Sequence, residues 1–220
     1  MIGAFLGISI KNPSNKLLGK LIGFSAGLML SVVVFDLIPE ALSKHNIKNM
    51  VLCFILGISL IMVIDIKSNN TSINEHKKVA FLAAIGLMLH NFPEGMLMGC
   101  GFATGNNLGL KMSFIIAIHD IPEGIAVAAP LIASKEKPYK TLLYVFFTAF
   151  PTAIGSFIGI YMYRVSDGFI GILLSLASGI MLYVVCGNMI PESSKLYGNK
   201  IPMLFIIIGI IVGVFIINVL

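Results

Sequence analysis

Charge is what this sequence has least of. Only 11% of its 220 residues are charged, where soluble domains carry roughly 25%, and 57% are hydrophobic. With a mean hydropathy of +0.97, the chain is expected to be an integral membrane protein. Cysteine is scarce too. Cys53, Cys100 and Cys186 lie in separate apolar segments, with neither zinc-site spacing nor the look of a disulfide framework, so they are expected to be small apolar core residues. There is no G-x-x-x-x-G-K-S/T loop, which leaves direct ATP hydrolysis by this chain unsupported. The net charge of +5 comes from lysines scattered over short loops. That pattern suits membrane topology rather than a nucleic-acid partner.

What is present is a series of apolar segments. Met1 to Ile10 is too short to span a bilayer and lacks the charged start and cleavage site of a signal peptide, so it reads as the second half of a helix. Full spans are expected at 17–39, 50–66, 79–102, 111–133, 141–163, 168–190 and 201–219. The fold expected is therefore an all-α polytopic membrane protein, a single domain over 1–220, with seven full transmembrane helices and an N-terminal half-helix. Its longest connection, Lys67 to Lys78, is expected to be a mobile polar loop, with His76 solvated.

Orientation follows from the cations. Connections 1–2, 3–4, 5–6 and 7–8 hold Lys11, Lys16, Lys20, Lys67, Lys77, Lys78, Lys135, Lys137, Lys140, Lys195 and Lys200. The opposite side holds Lys44, Lys48, Lys111 and Arg164. That bias assigns the first set to the cytoplasm and both termini to the outside.

Two repeats organise the chain. The first is H-x-x-P-E-G, which occurs as His90-Asn91-Phe92-Pro93-Glu94-Gly95 and again as His119-Asp120-Ile121-Pro122-Glu123-Gly124. The copies lie on consecutive, hence antiparallel, segments. The second runs from Gly27 to Glu40 and from Gly179 to Glu192 at an offset of 152 residues (Gly27 to Gly179), on segments two and seven. A three-helix, two-helix, three-helix layout with inverted symmetry accommodates both, as in secondary transporters.

Each hexapeptide puts its His and Glu four residues apart, on one face of a helix. Ionisable groups at mid-span are costly and mark a functional site. Imidazole with carboxylate suits zinc and other first-row divalent ions. Pro93 and Pro122 free the carbonyls four residues earlier and are expected to kink their helices beside a path, while Gly95 and Gly124 admit a close neighbour. A proton relay would use the same residue types. Asp36 and Glu40, on the outer half of segment two, are candidates for drawing cations inward, and Asn188 and Glu192, on segment seven, for release. Met88, Met96 and Met98 are expected to pack or face lipid.

The paired hexapeptides, with Asp36-Leu-Ile-Pro-Glu40 and Ile-Pro-Glu192, resemble the ZIP (Zrt/Irt-like) divalent metal transporters, most closely their bacterial ZupT/GufA-type branch. The likeness covers essentially the whole chain. It implies eight helices in a 3+2+3 arrangement in the bacterial cell membrane. It also implies uptake of zinc, or of iron, manganese, cobalt or cadmium, into the cytoplasm as cargo, with no cofactor. Carried onto this chain, the resemblance makes His90, Glu94, His119 and Glu123 the primary metal site and assigns Asn91 and Asp120, with the two glutamates, to an adjacent one. Where many such proteins carry a glutamate on the sixth helix this chain has Thr152, and Gly187-Asn188 replaces an acidic pair on the seventh. The expected partners are divalent metal ions and the lipid bilayer, with a second copy of the chain as a candidate. An enzyme is not expected: the rivals, an intramembrane metalloenzyme or a non-transporting metal sensor, lack H-E-x-x-H and any need for inverted duplication.

Overall fold

The computed structural model describes residues 1–9, 14–44, 46–69, 74–103, 108–161, 167–198 and 200–219. These residues are almost wholly helical. In chain order the helices are α1 (Ile2–Ser9), α2 (Asn15–Lys44), α3 (Ile47–Asn69), α4 (Glu75–Ala103), α5 (Leu108–Ala133), α6 (Pro138–Tyr161), α7 (Asp167–Val184, extended to Tyr197) and α8 (Ile201–Val219). Among the described residues, α2, α3, α4, α6 and α7 are long and apolar enough to cross a membrane. The best apolar window of α4 is 72% buried, against 22% for α3 and α6, so α4 is central and the other two form outer wall. Their exposed side chains, such as Leu52, Ile55, Phe147 and Phe157, are apolar, as a lipid-facing wall requires.

Several ends differ from the sequence expectation. The connection expected over Lys67 to Lys78 is shorter, because α3 runs to Asn69 and α4 begins at Glu75. The α5–α6 turn closes as a Schellman motif: Lys135 takes a left-handed φ of 57°, its N–H reaches Ile132 O, and Glu136 N–H reaches Leu131 O. Pro138 then opens α6, where its missing N–H costs nothing.

The expected kinks also lie elsewhere. The helical backbone runs through Pro93 and Pro122 without a break. Instead, α2 and α7 each widen into one π-helical turn, Val33–Leu37 and Val185–Met189, just before Pro39 and Pro191. Ile38 N–H bonds Val33 O and Ile190 N–H bonds Val185 O, five residues back, so the extra residue relieves the carbonyl that each proline would crowd. The two turns stand at the same offset of 152 residues (Val33 to Val185) as the sequence repeat.

That offset governs the helix packing as well. A Cβ on Gly27 would collide with the Ile206 carbonyl, and one on Gly179 with that of Phe54. Gly209 lies on the Phe24 carbonyl and Gly57 on that of Leu176. Gly155 lies on Phe92 and Gly3 on Ile121, the third residues of the two hexapeptides. Each of these three contacts in α2–α8 and α1–α5 thus has a counterpart in α7–α3 and α6–α4. Small residues let the backbones touch, which is what holds helices together where lipid removes the hydrophobic drive.

One end of the bundle is ionic. His76 lies against Glu192, Glu75 against Lys195, and Lys78 against Asp65. Lys16 and Lys20 lie over the Tyr197 ring. Connections 1–2, 3–4, 5–6 and 7–8 therefore share this end. Lys11 and Arg164 lie outside the described residues. Both Lys77 and Lys140 reach Glu136, and hydrogen bonding from Lys77 holds the Glu136 carboxyl below its ordinary value of 4.5. A depressed carboxyl contributes stability that is complete above its unfolded value and lost as pH falls through the folded one. Thermal unfolding in detergent should therefore show a loss of stability below pH 4.5 that Glu136→Gln makes smaller. An identical pH profile for the two proteins would contradict this reading.

Candidate metal site

The first hexapeptide lies midway along α4, and the second on α5 faces it. His90 is fully buried, and Glu94 and Glu123 nearly so. The His90 Nε2 is 3.1 Å from Glu94 Oε1 on its own helix and 3.4 Å from Glu123 Oε1 on α5. One imidazole nitrogen thus lies near two carboxylates from opposed helices: the i, i+4 spacing accounts for Glu94, and the packing of α5 on α4 brings in Glu123. The His119 side chain lies outside the described residues. Asp120 is half-buried on the same stretch of α5.

Asn91 turns the other way. Its amide donates to Thr148 O on α6 at 2.8 Å, while its Oδ1 is buried with no hydrogen-bond partner. Thr152, one turn along α6, has its carbonyl against Gly95, and its Oγ1 is likewise buried and unbonded. Buried oxygens without a partner are costly, and the lone pairs of the Asn91 amide oxygen and the Thr152 hydroxyl suit a cation. Among the described residues, no three of His, Cys, Asp and Glu already form a metal cage. The described candidate ligands are gathered but not closed around a point.

The candidate pathway residues fall at the two ends. Asp36 lies in the π turn of α2, and Glu40 follows it, paired with Lys44 at 3.5 Å. Both are half-buried. At the ionic end, Asn188 lies in the π turn of α7 and Glu192 one turn on, both buried. His76 is not the solvated residue expected: starting α4 at Glu75 places it in the first helical turn, against Glu192. The cysteines also depart from expectation. Cys53 and Cys100 are half-buried and Cys186 is exposed. A thiol suits an outer wall facing hydrocarbon as well as it suits a core. Of the methionines near the motifs, Met96 is buried and Met88 exposed, so both expected roles occur.

Sequence reasoning missed Asp65. This carboxylate is buried in apolar α3, where Lys78 pairs with it and Tyr183 donates to Oδ2 at 2.8 Å. Its signal was a lone acid in the run Met-Val-Ile-Asp-Ile.

An all-helical bundle with buried imidazole and carboxylates at its centre defines a polytopic membrane protein with ionisable groups in its core. Residues 66–220 match the family described as ZIP Zinc transporter. The chain belongs to that family, which makes it a divalent metal transporter and not an enzyme. It is also similar to proteins described as zinc transporter ZupT from Escherichia coli O7:K1 (strain IAI39 / ExPEC), Escherichia coli O1:K1 / APEC and Escherichia coli (strain K12 / DH10B). Each is 27% identical over 224 residues, covering 94% of this chain and 87% of the relative.

Proposed function

We propose that this chain carries zinc inward across the bacterial cell membrane. The ion passes through a site formed by His90, Glu94, His119 and Glu123, with Asn91 and Asp120 beside it. The observation that carries this reading is the single His90 nitrogen within reach of carboxylates from two opposed helices. Nitrogen with oxygen ligands suits zinc and also admits iron, manganese, cobalt and cadmium. Asp36 and Glu40 lead in and Asn188 and Glu192 lead out, with the lysine-rich end in the cytoplasm and the termini outside. Thr152 supplies a neutral oxygen where a carboxylate would hold a second ion more strongly.

The glycine contacts support a 3+2+3 inverted repeat and suggest how it moves. They join α1 to α5 and α4 to α6, and separately α2 to α8 and α3 to α7. Both hexapeptides ride on the first set. The ion pairs of His76, Glu75 and Lys78 cross from α4 to α7 and α3, that is, between the sets. Shifting one set against the other carries the site across and must break those ties. A homodimer would bury the outer face of α3.

Zinc-free proteoliposomes loaded with a zinc-sensitive dye and given zinc outside test the function. Saturable zinc uptake, reduced by competing cadmium or cobalt, is the expected result. Stoichiometric binding without flux would instead make the chain a sensor.

A further inference from the structure

The outer wall between α4 and α6 is indented by a groove of about 350 Å³, a volume within the range of ligand sites. Ala84 and Met88 of α4 and Leu143 and Phe147 of α6 line it, with Lys140 at one end and Thr148 at the other. Apart from that lysine its walls are almost wholly apolar. From Lys140 to Thr148 the groove descends about 12 Å along α6.

Lys140 stands at the ionic end of the bundle, where Tyr139 is exposed beside it, as interfacial aromatic residues are. Residues 134–140 carry three lysines and one glutamate. Lys140 shares that glutamate with Lys77, and its side chain is 49% exposed. Two lysines on one carboxylate leave a net positive charge at this end, over an apolar slot running toward the hydrocarbon layer. Basic pockets between membrane helices take anionic headgroups. A second copy docking here by two-fold symmetry would bring the same lysine-rich turn against itself.

We propose that this groove is a binding site for one anionic phospholipid, its phosphate on Lys140 and an acyl chain between α4 and α6. The deep end of the slot is Thr148, whose carbonyl holds Asn91 beside His90. A chain in the groove thus packs on the strut that positions the metal site, whichever ion that site carries.

The protein contains no tryptophan, so Phe147→Trp, at a position already 57% exposed, places a single fluorophore in the groove. Nanodiscs carrying tail-brominated phosphatidylglycerol or phosphatidylcholine then report which lipid lies there. Half-quenching should need roughly fivefold less phosphatidylglycerol, the effect of one cation near a membrane surface. Lys140→Glu in the same background should erase that preference. Equal quenching by both lipids, a preference surviving Lys140→Glu, or no quenching by either lipid would overturn the proposal. If the tryptophan variant does not fold, native mass spectrometry replaces it. The unaltered protein should then retain one phosphatidylglycerol that Lys140→Glu loses, and equal retention would overturn the proposal.

Discussion

Zinc uptake into proteoliposomes is expected to fall at least ~100-fold when Glu94 and Glu123 are both replaced by alanine. Loss of mere supporting groups around a metal already costs about 10–100-fold, and these two carboxylates are proposed ligands. They are also the groups that make a buried imidazole tolerable, since each lies within 3.4 Å of His90 Nε2. Removing both leaves no buried carboxylate without its share of the imidazole, so the variant should keep its fold. Removing one would leave the other carboxylate with less to balance it. Elution volume and thermal midpoint close to those of the unaltered protein would separate lost transport from lost structure. Uptake that survives in a folded double variant would move the pathway off α4 and α5.

Gly155→Leu should have the second large effect, this time on folding. A Cβ at Gly155 would overlap the Phe92 carbonyl and crowd Met96 N. Both are helix backbone and cannot rotate aside. The contact is reciprocal, because Gly95 lies on the Thr152 carbonyl and Gly159 on that of Met96. Leucine would therefore force α4 and α6 apart along their whole interface, breaking the Asn91–Thr148 hydrogen bond. The expected outcome is little or no monodisperse protein after detergent extraction. Gly168→Leu, with no atom within 4 Å of its added Cβ, should behave like the unaltered protein. A well-folded Gly155→Leu variant would show that α4 and α6 are not locked as described.

Much of this was legible in the sequence, for identifiable reasons. A His and a Glu four residues apart can only share a helical face, so the pairing of His90 with Glu94 followed once the helix was recognised, whereas the approach of Glu123 needed α5 to pack face to face with α4. The lysine distribution likewise anticipated that four connections share one end. The repeat was readable only in part. Eight identities between segments two and seven stood out, whereas Gly57 against Gly209 or Gly3 against Gly155 are single matches in apolar runs. Their meaning emerges only when each glycine meets the carbonyl that the repeat relates to its counterpart's partner: Leu176 and Phe24 at the offset of 152 (Phe24 to Leu176), Ile121 and Phe92 as the third residues of the two hexapeptides.

The prolines misled because sequence shows the strain and not its relief. Pro93 lies two residues before Gly95, where α4 touches the α6 backbone too closely to bulge. Pro39 and Pro191 are not so confined, and there the helix widens. Asp65 and His76 were missed because their partners, Lys78 and Glu192, come from other helices. Periodicity within one segment carries no trace of such pairs.

The most direct test of the metal site is zinc K-edge X-ray absorption on the zinc-loaded protein, compared with its His90→Ala variant. The expected first shell is nitrogen and oxygen at about 2.0–2.2 Å, with imidazole scattering that weakens in the variant. Sulfur at about 2.3 Å, or imidazole scattering unchanged by His90→Ala, would place the ion away from the paired hexapeptides and contradict the proposed route.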